Sequence, residues 1–68
     1  MPTREDISFV AAAVLDGAIR PSMGRDLLSW KEFAETNGNH LSVMELAIGC
    51  GFIDTDKAKA IANTPAGN

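Results

Sequence analysis

The apolar positions recur at helical spacing along nearly the whole chain. Ile7, Val10, Ala11, Val14 and Ala18 fall on one helical face, while Phe9, Ala12, Ala13 and Leu15 spread apolar surface round the cylinder. This pattern predicts a first helix buried on more than one side. Thr3 followed by Arg4, Glu5 and Asp6 supplies its start, with a capping hydroxyl and acidic residues at the positive end of the helix dipole. Gly17 frays it after Asp16, and Pro21 ends it by Arg20, because the proline ring disfavours helical geometry in the preceding residue. Ser22 is the expected cap of a second helix. Its stripe is Met23, Leu27, Trp30 and Ala34, widened by Phe33, and Asn37, Gly38 and Asn39 close it.

A third helix is predicted from Val43. Ser42 and Glu45 have capping-box spacing, and Leu41 and Leu46 have that of a hydrophobic staple. Gly49 and Gly51 stop it near Cys50, and Asp54 or Thr55 caps a fourth helix carrying Ala58, Ile61 and Ala62 up to Thr64 and Pro65. No strand-like alternation of four or more residues survives, and no internal repeat is present. The expected fold is all-α, a compact bundle of three to four short helices with a helix-turn-helix-like corner at residues 43–63. One domain spans residues 1–64, followed by a loose tail at 65–68.

At 68 residues the chain is too short for a second domain, and its longest apolar run, Phe9 to Leu15, falls far short of a membrane span. Arg4 followed by Glu5 and Asp6 is the wrong charge order for a secretory signal, so the expected location is cytoplasmic. A chain of this size buries only about 60% of its unfolded surface, which makes pairing with a second copy, a homodimer, an expectation on energetic grounds.

The net charge of −3 gives no long-range attraction for a nucleic acid backbone, and the six basic residues are scattered with no run of three. Catalytic chemistry is thinly supplied. The chain has one histidine, His40 in a polar turn, one cysteine, Cys50, expected as a small buried thiol, and no tyrosine. Neither an enzyme nor a cofactor is expected. Two Cys or His ligands do not make a zinc site, and the stretch ending at Glu45 lacks the first ligand and the turn glycine of a calcium loop, with Ala34 and Asn39 in those places.

The residues Glu45, Leu46, Ala47, Cys50, Gly51, Phe52 and Asp54 resemble the turn of a helix-turn-helix, in particular the corresponding stretch of AraC-type regulators. The resemblance covers about ten residues. It implies that Ala47 is the small residue at a helix crossing, that Gly51 makes the turn and that Phe52 plugs the core beneath it. Lys57, Lys59 and Asn63 would then approach DNA. The chain departs from the family at Ala58 and Ala62, where aromatic residues are usual, and Asp54 and Asp56 place repulsive charge at the start of the second helix.

Val10, Val14, Leu27, Trp30, Leu46 and Ile61 are expected to point inward. Phe9, Leu15, Leu28 and Met44 lie off the main stripes and are the expected exposed patch, with Trp30 as a further anchor. The sequence therefore points first to a small non-enzymatic helical protein that binds and modulates another protein. The alternative is a helix-turn-helix DNA-binding regulator using residues 42–63.

Overall fold

The computed structural model describes residues 3–63, which form four helices: α1 (Arg4–Asp16), α2 (Pro21–Thr36), α3 (Val43–Gly49) and α4 (Thr55–Ala62). No strand occurs among the described residues, and none of their helices is long and apolar enough to cross a membrane. The expected boundary between residues 64 and 65 lies outside them.

Each helix starts where a polar side chain or a proline offers to begin it. Thr3 caps α1 through a complete capping box: the Thr3 N–H donates to Asp6 Oδ2 at 3.1 Å, and the Asp6 N–H donates to Thr3 Oγ1 at 3.2 Å. Gly17, at φ 84°, ends the helix in the left-handed conformation that a residue with a Cβ adopts only at a cost. Pro21 is the first residue of α2 and Arg20 its cap, which corrects the expected cap at Ser22. A proline in the first turn forfeits no helical hydrogen bond, so the ring that closes off α1 also begins α2. Ser42 Oγ accepts from the Glu45 N–H at 3.1 Å, and Asp54 Oδ1 from the Lys57 N–H at 2.7 Å, opening α3 and α4.

Both α1 and α3 pack on all three other helices, whereas α2 and α4 do not touch. One connected core holds Phe9, Val10, Ala13, Ile19, Leu27, Val43, Ala47, Ile53, Ala58 and Ile61. The two longest helices meet at Gly24, where an added Cβ would stand 2.7 Å from Val10 Cγ1 and 3.4 Å from Val14 Cγ2. This approach sets the rotation of α2. Its buried positions are Gly24, Leu27, Lys31 and Ala34, so Gly24 and Lys31 stand where the sequence stripe has Met23 and Trp30.

Two polar residues are buried with this core, Asp6 and Lys31. Asp6 Oδ1 accepts from the Val43 N–H at 3.2 Å, one of the donors that the first turn of α3 leaves without a helical partner. Lys31 Nζ donates to the carbonyl of Leu41, pinning the loop between α2 and α3. Burial alone would raise the Asp6 pKa. The backbone N–H groups of Thr3 and Val43, the Thr3 hydroxyl and the charge of Lys31 outweigh it and hold the carboxyl below its usual range.

Candidate functional site

The residues that the sequence places in a partner-binding patch do not share one surface. Phe9 is buried, which corrects its expected exposure: α4 packs on that side of α1, and Phe9 lies in a groove also lined by Met44, Ser42, Ala12 and Ile61. The groove measures about 560 Å³. Met44 and Leu28 are half-buried, while Leu15 is 88% exposed. Leu15 lies about a third of a turn round α1 from Phe9, so burial of one leaves the other in solvent.

A different aromatic face is open. Trp30, expected inside, is 42% exposed, because Lys31 takes the inward position beside it. Phe33 follows at i+3 and is 70% exposed, which puts the two rings on the same flank of α2. Phe52, from the turn between α3 and α4, sets its ring 5.7 Å from that of Trp30 at a tilt of 35°. That distance lies within the favourable range for aromatic pairs and holds Trp30 in place. Leu41, at the mouth of the α2–α3 loop, is also exposed. Phe33 and Leu41 are absent from the sequence-derived candidates, although the i, i+3 spacing of Trp30 and Phe33 was available as a signal.

The helix-turn-helix features are divided. Ala47 is fully buried and Gly51 adopts φ 77°, in keeping with a small crossing residue and a turn glycine. The core beneath the turn is plugged by Ile53 and not by Phe52, which is half-buried against Trp30. Lys57 Nζ lies 2.8 Å from Asp16 Oδ2, so this candidate DNA contact is engaged with the end of α1. Lys59 and Asn63 are exposed.

Cys50 is exposed at the end of α3, correcting the expected buried thiol: Ile53 supplies the burial at this corner. His40 is exposed in its loop. Among the described residues no three His, Cys, Asp or Glu side chains gather as a metal site. No family model, curated protein or solved structure matches the chain.

Proposed function

We propose that this chain is a small non-enzymatic helical protein that binds and modulates another protein, with Trp30 and Phe33 as its anchors. The observation that carries this reading is the exposure of both rings on one flank of α2, with Trp30 propped by Phe52. Large aromatic side chains dominate binding energy when a partner covers them, and an anchor already fixed in position has less ordering entropy to lose. The protein acts by occupancy. It covers a surface of its partner and so blocks or redirects it. The test is a titration of the purified partner, once isolated, with the intact chain and with Trp30→Ala and Phe33→Asp chains. Each substitution is expected to weaken the complex at least about tenfold, since anchor residues contribute about 2 kcal/mol or more. Unchanged affinity in both would reject this face.

A second reading, a helix-turn-helix DNA-binding regulator using residues 42–63, draws support from Ala47 and Gly51. Against it stand Asp54 and Asp56 at the start of α4 and the pairing of Lys57 with Asp16. Fluorescence anisotropy of a labelled mixed-sequence duplex at about 50 mM and about 200 mM salt separates the two readings. Binding that falls steeply with salt would favour DNA, and no binding at either concentration is expected.

A further inference from the structure

Helix α1 carries a second apolar face, separate from both the core and the Trp30–Phe33 flank. Ile7 is 52% exposed and Leu15 88%, and Ala11, also exposed, lies midway between them at intervals of four residues. The three side chains therefore line one side of the helix. Other side chains of α1 are engaged: Val10 and Val14 meet α2 at Gly24, Phe9 is buried in the core, and Asp16 pairs with Lys57 of α4. No described element packs over Ile7 and Leu15.

We propose that this face pairs antiparallel with the same face of a second copy of the chain, about a two-fold axis at Ala11. Three observations select this occupant. The spacing is symmetric about Ala11, so in an antiparallel pair Ile7 lies opposite Leu15 of the partner subunit, large against large, as a self-complementary two-fold contact requires. The residue on the axis is small, which lets two helices approach closely. The charges also agree. Glu5 and Asp16, the acidic residues at either end of α1, fall outside this face by helical phase, and Arg4 is the charged residue at its edge. Antiparallel pairing brings each Arg4 to the last turn of the partner's α1, a negative dipole end with no basic residue, whereas parallel pairing would set Arg4 against Arg4. The pair leaves the Trp30–Phe33 flank free, so the proposal goes beyond the partner-binding reading and does not depend on it.

A contact of one helix against one helix is small, and self-association is expected in the range of weak interfaces. Sedimentation equilibrium of the intact chain up to about 1 mM is expected to show a monomer–dimer equilibrium that Leu15→Glu weakens at least about tenfold and Trp30→Ala leaves unchanged. Far-ultraviolet circular dichroism checks that each variant keeps its helices, which the exposure of both side chains allows. The register has its own test in a Cys50→Ser background. The Ala11→Cys chain is expected to form a disulfide-linked dimer under mild oxidation, because the axis places the two positions side by side. The Arg4→Cys chain is expected to resist linking, since its two sites lie about 20 Å apart along the helices. A wild-type monomer at every concentration, a dimer indifferent to Leu15→Glu, or linking of the Arg4→Cys chain as fast as the Ala11→Cys chain would each overturn the proposal. Loss of the dimer in Trp30→Ala alone would move the contact to the aromatic flank and overturn it equally.

Discussion

The carboxylate of Asp6 accepts a hydrogen bond from the backbone N–H of Val43, 37 residues along the chain, so one side chain serves the first turns of two helices. Its other oxygen completes the Thr3 capping box of α1. The carboxylate thus stands at the positive ends of α1 and α3 with the charge of Lys31 acting on it. A polar group in the core is tolerable on these terms because its lone pairs are used.

Asp6→Ala strands the Thr3 and Val43 donors and leaves Lys31 without its opposing charge. The expected loss is about 1–3 kcal/mol, a large share for so small a domain, measured by urea unfolding. Asp6→Asn keeps an acceptor oxygen and is expected to lose less. A stability of Asp6→Ala equal to wild type would show that the link between the two helices contributes nothing.

Acid should act through the same group. Its folded pKa lies below the ordinary value of 3.8, so its contribution is complete above that value and disappears as pH falls through the lowered one. Stability measured from pH 6 down to about pH 2 is expected to drop more steeply in the wild type than in Asp6→Asn. Parallel profiles would contradict the assignment.

Gly24 is the contact point of α1 and α2, and an added Cβ meets the stiff side chain of Val10 at 2.7 Å. Alanine gains about 1 kcal/mol of helix propensity over glycine, but overpacking costs about 1–3 kcal/mol, so Gly24→Ala is expected to be neutral to destabilising. Gly24→Leu has no space to use and is expected to unfold the chain or lower its melting temperature by many degrees. Thermal melts followed by circular dichroism decide both.

Two other glycines should respond with opposite signs. Gly17 holds φ 84°, and alanine there is expected to cost about 1 kcal/mol. Gly49 is helical, with nothing within 4 Å of an added Cβ, and Gly49→Ala is expected to stabilise by about 0.5–1 kcal/mol. The same denaturation curves measure both changes.

The aromatic flank is expected to matter more for binding than for folding. Trp30→Ala forfeits the ring contact with Phe52 and is expected to cost up to about 1.5 kcal/mol from that contact, while Phe33→Asp, on the open surface, should stay within about 0.5 kcal/mol of wild type.

The helix starts were legible because caps are local: Thr3, Ser42 and Asp54 each bond to a backbone N–H three residues on. The faces were less so. Which side of α2 turns inward is decided by the fit of Gly24 against Val10, a contact between helices that periodicity within α2 cannot reveal. That fit buries Lys31 and exposes Trp30, the reverse of what hydrophobicity suggests. Phe9 and Leu15 were equally apolar in the sequence, and the placement of α4 decides that Phe9 is covered and Leu15 is not. Asp6 was visible as a first-turn acid. Its second role required the position of Val43, which only the fold supplies.

The partner-binding reading is tested most directly by photo-crosslinking in the cells that express the chain, with a photoreactive amino acid replacing Phe33 in one sample and Lys59 in another. The expected result is one protein captured from position 33, not from position 59, and lost when Trp30→Ala is added. Nucleic acid captured from position 59, with nothing specific at position 33, would contradict the reading and favour the helix-turn-helix alternative.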